Sequence, residues 1–179
     1  MKLLIEVAVC GVLMLGAAKA DTLEVDKTQS RIQVDGRSTG HGFTGTLGDY
    51  VVTISGDPST LRPDTFELFW KFSDLDTKNK TRNEKMIKWL GGSVPEGSFA
   101  FEKTWQEDGK NFAQGTITIH GVNQSISFPY TVAKGGDWVT IDGVATLDYE
   151  DFDLPIIRAV AVMTVDPKLT IRFHVVGKL

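Results

Sequence analysis

Apolar side chains fall at every second position through nearly all of the chain from residue 21 onward. This is the spacing of strands that turn one face to a core and the other to water. Ile32 and Val34 alternate with Arg31, Gln33 and Asp35, and Val52 and Ile54 run into the turn Gly56-Asp57-Pro58. Phe66, Leu68, Trp70 and Phe72 alternate with Glu67, Phe69 and Lys71; Phe99 and Phe101 alternate with Ala100 and Glu102. Ile117 and Ile119 answer Ile126 and Phe128 across His120-Gly121. Val139, Ile141, Ala145 and Leu147 form another row, and Leu169, Ile171, Phe173 and Val175 the last. With less regular segments at 23–26 and 43–47, the pattern predicts about eight strands or slightly more, joined by the short turns of antiparallel sheets.

One segment breaks the alternation. Thr81-Arg82-Asn83-Glu84 has the form of a capping box, Met86, Ile87 and Leu90 share one side at helical spacing, and Gly91-Gly92 ends the run. A helix of about nine residues does not hold alone in water, so it must pack on the sheet, across one end. No linker or repeat divides the chain, which reads as one domain over residues 21–179.

So many antiparallel strands must close on themselves or split into two layers, because open edges aggregate. Phe66, Trp70, Phe72, Phe99, Phe101, Trp105, Phe128 and Phe173 are expected on one side. The expected architecture is all-β: an antiparallel eight-stranded barrel with one short helix near its mouth. Such a barrel is either filled by its own side chains or wide enough for one slender ligand, and the pattern leaves both open.

Residues 1–20 read as a signal peptide. Lys2 is followed by an uncharged run from Val7 to Ala18, and Ala18-Lys19-Ala20 places small residues before Asp21, so cleavage is expected after Ala20. The apolar run of about 12 residues is short of the roughly 20 needed for a helix across a bilayer, so no stable membrane span is expected. Export implies a periplasmic protein. Cleavage removes the single cysteine, Cys10, and with it disulfides, thiolate metal sites and cysteine nucleophiles. It also removes Lys2, Lys19 and Glu6, leaving 17 basic and 22 acidic residues. That mildly acidic balance without a basic run argues against nucleic acid as a partner. The pattern does not set the oligomeric state, a homodimer included.

Catalytic chemistry finds little support. His41, His120 and His174 are the groups suited to proton transfer near neutral pH, and they lie in three separate segments. His174 is out of phase with the last apolar row and belongs on the wet face. His120 precedes Gly121 at a turn, where a ring nitrogen can bond turn backbone; ligand contact and metal binding are the minority readings, with no second ligand at a recognisable spacing. His41 sits among Gly40, Gly42 and Gly45, as a hydrogen-bonding post at a bend or as a contact to a ligand head group. The acids Asp148, Glu150, Asp151 and Asp153 lack the regular spacing around a glycine of a calcium loop. There is no nucleophile elbow, phosphate loop or dinucleotide fingerprint. No enzyme activity, metal or cofactor is expected.

Three stretches carry a family resemblance: "LEVDKTQSRIQVDG", "TKNKTRNEKMIKWL" and "GTITIHGVNQSISFPYTV". Together they resemble the YceI-like proteins, secreted lipocalin-like barrels often called polyisoprenoid-binding proteins, over residues 22 to 178. The sharpest match is the strand and turn carried by Gly115, Ile117, Thr118, Ile119, His120, Gly121 and Val122. The helix signature, Arg-Asp with leucine three residues on, stands here as Arg82-Asn83 with Met86. Ser30 keeps the serine of the family's early His-Ser pair, with Gln29 in place of the histidine. The late Arg-x-Asp-Phe-Gly segment is replaced by Glu150-Asp151-Phe152-Asp153; were that segment to contact the polar end of the ligand, an acid in place of a base would favour a neutral head such as a quinone over a pyrophosphate.

The resemblance implies a non-catalytic carrier that sequesters a long isoprenoid-type lipid, a quinone or prenyl chain, as its ligand, with a homodimer left open. The expected pore lining is Ile32, Val34, Phe43, Phe66, Leu68, Trp70, Phe72, Phe99, Phe101, Ile117, Ile119, Phe128, Ile141 and Phe173, with His41 the candidate head-group contact. The alternative is a periplasmic stress-response or interaction protein whose barrel is filled and holds no lipid.

Overall fold

The computed structural model describes residues 20–91, 95–160 and 163–179, and all but Ala20 of the expected signal peptide lies outside them. Fourteen strands and one helix are found among the described residues. The first half carries β1 (Asp21–Thr22), β2 (Glu24–Val25), β3 (Arg31–Ser38), β4 (His41–Leu47), β5 (Val51–Asp57), β6 (Arg62–Lys71), β7 (Leu75–Asp76) and the helix α1 (Lys80–Leu90). The second carries β8 (Glu96–Glu107), β9 (Lys110–Ile119), β10 (Val122–Gly135), β11 (Trp138–Asp148), β12 (Arg158–Val160), β13 (Met163–Thr164) and β14 (Lys168–Lys178). Every pairing is antiparallel, and the main sheet runs β1-β5-β6-β8-β9-β10-β11-β14-β3-β4-β7, with β2 on β14.

The fold is thus all-β with one helix, but the eight-strand count is not what the sheet shows. Nine of its strands have seven or more residues, and short pieces extend its edges. Nor does a hydrogen-bonded ladder close it. The outermost long strands, β4 and β5, are joined by only residues 48–50, a link that reaches on the order of 10–14 Å, so the sheet must curl until these edges meet. The chain leaving β6 then passes through a 3-10 turn, Phe72–Asp74, and occupies the edge of β4 as β7, pairing Thr46 with Asp76 and Leu47 with Leu75. Gly48 N–H donates to the Asp74 carbonyl at 2.8 Å. With that edge taken, β5 finds no partner on β4, and the two sides meet along a seam rather than a ladder. Phe72, expected as a strand residue, sits in the turn that seals this seam.

The helix begins two residues earlier than the capping pattern predicts. Asn79 is the cap, its side chain accepting from Arg82 N–H at 3.0 Å, so Thr81 lies inside the helix and Glu84 does not reach back to it. Asn83 instead accepts from the Thr77 hydroxyl at 2.6 Å and backbone N–H at 3.0 Å, and donates to Asp76 Oδ1 at 3.0 Å. This ties α1 to the end of β7. The Asn83 bond, followed by Lys78, holds the Asp76 carboxyl at about 2, below its ordinary 3.8. A depressed carboxylate pKa contributes stability that is complete above the unfolded value and lost as pH falls through the folded one. The helix start is therefore expected to loosen between about pH 4 and pH 2. Fluorescence of Trp89 should report it, and Asp76→Asn should flatten that acid transition.

A bulge in β8 between Phe101 and Lys103 shifts the phase of everything after it. Trp105, expected on the inner face, is turned outward and stacks on Phe112 at 5.4 Å and 15°. Inside, one cluster of buried side chains includes Leu90, Phe99, Ile117, Phe128, Tyr149 and Phe152. A smaller one, Leu23, Ile54, Val139 and Val175, packs where β1 and β2 meet the sheet.

Candidate functional site

Curling a sheet whose inner rows are apolar encloses an apolar space, and here a cavity of about 740 Å³ remains unfilled. Of the two interiors that the alternation leaves open, filled or hollow, the cavity shows the hollow one. Phe66, Phe99, Phe128 and Phe173 form one continuous aromatic group: Phe66 meets Phe99 at 5.5 Å and Phe173 at 6.5 Å, and Phe128 meets them at 5.9 and 5.4 Å. These edge-on and tilted contacts are the favourable geometry for aromatic rings. The small second cluster packs on Phe66 and Phe173, so this group floors the cavity.

Such bulky rings leave room because glycines opposite let them lie down. Phe173 is paired with Gly143, and Trp70 with Gly97. A Cβ on either glycine would run into the ring of its partner. Phe43 over Gly36 repeats the arrangement. Gly143→Ala is accordingly expected to lift the Phe173 ring towards the lumen, at a cost of about 1–3 kcal/mol as for overpacked cores, measured by urea denaturation.

Of the expected lining, Ile32, Val34, Phe43, Phe66, Leu68, Trp70, Phe72, Phe99, Ile117, Ile119, Phe128 and Phe173 face the cavity. Phe101 and Ile141 do not; they pack against the core clusters. Ile141 is displaced because the lumen ends at the phenylalanine floor and Ile141 packs with the cluster beneath it. Phe101 lies beside the bulge that redirects its strand.

The helix and the segment after β11 supply the lining that the alternation could not show. Thr77, Asn79, Thr81, Arg82, Lys85, Met86, Trp89 and Leu90 come from α1 and its approach; Tyr149, Leu154, Ile156, Ile157 and Arg158 come from the 3-10 turn Tyr149–Phe152 and the chain beyond. The two groups are joined. Trp89 packs edge-on to Tyr149 at 5.1 Å and donates its indole N–H to the Pro155 carbonyl at 2.8 Å. The Tyr149 hydroxyl donates to the Val165 carbonyl at 2.8 Å and accepts from Ile157 N–H at 3.2 Å, while burial pushes its pKa up. Helical spacing of Met86, Trp89 and Leu90 is the signal that could have placed this face on the cavity; the residues after β11 have no periodicity.

His41 lies exposed at the rim, with both ring nitrogens 3.4 Å from the Ser38 hydroxyl. His120 occupies the two-residue turn between β9 and β10 with φ of 54°, beside Gly121 at 76°, and its Nδ1 is 3.4 Å from the Phe152 carbonyl. Two adjacent positive φ values make the hairpin turn that matches strand twist. His174 is on the wet face, 2.7 Å from Asp142. The three histidines do not converge. Among the described residues no cluster of histidine, cysteine and acid suits a metal, and no helix is long and apolar enough to cross a membrane.

The acidic segment does not meet the cavity. Asp148 caps the 3-10 turn through Glu150 N–H, and Glu150, Asp151 and Asp153 are exposed; none of the four lines the cavity. A short turn winds their side chains to its outer side while Tyr149 and Phe152 are buried. The argument for a neutral head group from these acids therefore fails.

Residues 23–177 match the model of the YceI-like domain. The chain belongs to the YceI-like family. Two solved structures show the same fold as this YceI-like chain. Burkholderia cenocepacia BcnA is 21% identical, with 87% of this chain and 100% of BcnA covered and a TM-score of 0.76. A Campylobacter jejuni YceI protein is 21% identical, with 75% of this chain and 84% of that one covered and a TM-score of 0.60. No curated protein matches the chain.

Proposed function

We propose that this YceI-like protein is a non-catalytic carrier that sequesters a long isoprenoid-type lipid in its cavity, in the periplasm. The observation that carries the reading is the cavity itself: about 740 Å³, walled by aliphatic and aromatic side chains, floored by four phenylalanines and capped by an amphipathic helix. Its volume is in the range of small-molecule sites, roughly 300–1,000 Å³. Each methylene that leaves water gains about 0.8 kcal/mol, so a prenyl chain enters such a space without any catalytic group. Family membership supports the ligand class. The scattered histidines and the apolar walls favour binding over chemistry.

Solvent extraction of protein purified from an exporting bacterial host, followed by mass spectrometry, should yield a prenyl lipid in near-stoichiometric amount. An empty extract together with no uptake of added prenyl lipids would sink the proposal.

A further inference from the structure

The chain has 23 acidic residues against 19 basic ones, and yet no aspartate or glutamate lines the cavity. Its charged lining is entirely basic, Arg82, Lys85 and Arg158, and His41 is on the same lining. We propose that the cavity selects amphiphiles whose polar end is an anion, a phosphate or a carboxylate, held at the rim while the apolar tail lies on the phenylalanine floor. This deepens the carrier reading and rests on it.

The basic residues are placed for the task. Arg82 is fixed rather than free to swing: its Nε donates to the Thr77 hydroxyl at 2.9 Å, its Nη2 to the Thr77 carbonyl at 2.7 Å, and the guanidinium lies 4.6 Å from the centre of the Phe43 ring. Those two bonds use two of its five N–H donors, leaving the rest for an acceptor in the cavity. Both partners on Thr77 are neutral, so the charge itself is uncompensated. No carboxylate lies within salt-bridge distance of Arg82, Lys85 or Arg158 among the described residues. The nearby acid that might have neutralised Arg82, Asp76, is committed to Lys78 at 3.0 Å and to Asn83. Lys85 lies one helical turn beyond Arg82, and Arg158 comes from the separate segment after the 3-10 turn. A rigid arginine fork suits phosphate and carboxylate, and charge-assisted bonds there are about twice as strong as neutral ones.

The test uses matched pairs that differ only in the head: farnesyl phosphate against farnesol, and oleate against methyl oleate. Quenching of Trp70 and Trp89 fluorescence reads binding, since both indoles face the cavity. The charged member of at least one pair should bind about tenfold more tightly at low salt. The preference should shrink in about 1 M salt, where the Debye length is near 3 Å. The double variant Lys85→Glu with Arg158→Glu, both exposed positions, should cut the preference severalfold, with Arg82 still in place. A phosphate-only preference and a preference in both pairs each support the proposal, and they separate a phosphate site from a general anion site. Equal binding of both members overturns it while the carrier reading stands, as does a preference untouched in the double variant. Binding of neither member of either pair overturns the carrier reading, and the head-group preference with it.

Discussion

Phe152→Ala is expected to lower the free energy of unfolding by about 3–5 kcal/mol, whereas Leu68→Ala, at an inner apolar position of β6, should cost clearly less. Phe152 is 1% exposed and lies within the main core, away from the cavity lining. Truncating it empties a space closed on every side, so transfer energy and a cavity term are lost together. Its carbonyl also sits 3.4 Å from His120 Nδ1, so collapse into the hole would disturb the hairpin turn. Leu68 faces the lumen and has few partner atoms on that side. Removing its methyl groups enlarges an existing void and forfeits fewer contacts. Urea unfolding of the two variants checks the contrast; equal losses would mean that the lumen is packed.

The wall of the site was legible in the sequence because a strand with a bulk-apolar face on one side has only one way to point it. The rows Ile32–Val34, Phe66–Trp70 and Ile117–Ile119 fall on the inner face in the phase that their alternation gives. Phase survives only while the pairing is regular. One extra residue in β8 is enough to put Trp105 outside, and nothing in "EKTWQED" announces it. The strand count failed for a related reason. Asp21–Thr22 and Glu24–Val25 pair with different neighbours, β5 and β14, and Leu75–Asp76 seals a seam; two-residue strands have no period to detect.

The rim of the site was mostly hidden, because what places it is long-range. Arg82 was visible as part of a helix signature, but its attachment to Thr77 and Phe43 depends on β7 closing onto β4. Tyr149 and Trp89 are 60 residues apart in sequence and meet only in the folded chain. The acidic run stays away from the cavity, as conspicuous charge in a sequence usually belongs to solvent.

Ala145→Phe should abolish lipid uptake, by more than about tenfold, and leave stability within about 1 kcal/mol. Ala145 is 4% exposed, sits on β11 opposite Ile171 and lines the cavity with a single methyl group. A benzyl group there extends into the lumen between the floor and the helix, the space a chain must thread. Overpacking is costly when neighbours have nowhere to go, but this ring enters a void and gains apolar contacts that offset its lost rotamer freedom. The near-neutral stability is what separates blockage from unfolding. Uptake of a prenyl probe by the variant, compared with the natural protein at matched folded fraction, decides the matter. Retained uptake would place the lipid somewhere other than this lumen. Lost uptake with an unchanged urea midpoint would locate the tail against β11, one strand away from the floor residue Phe173 on β14.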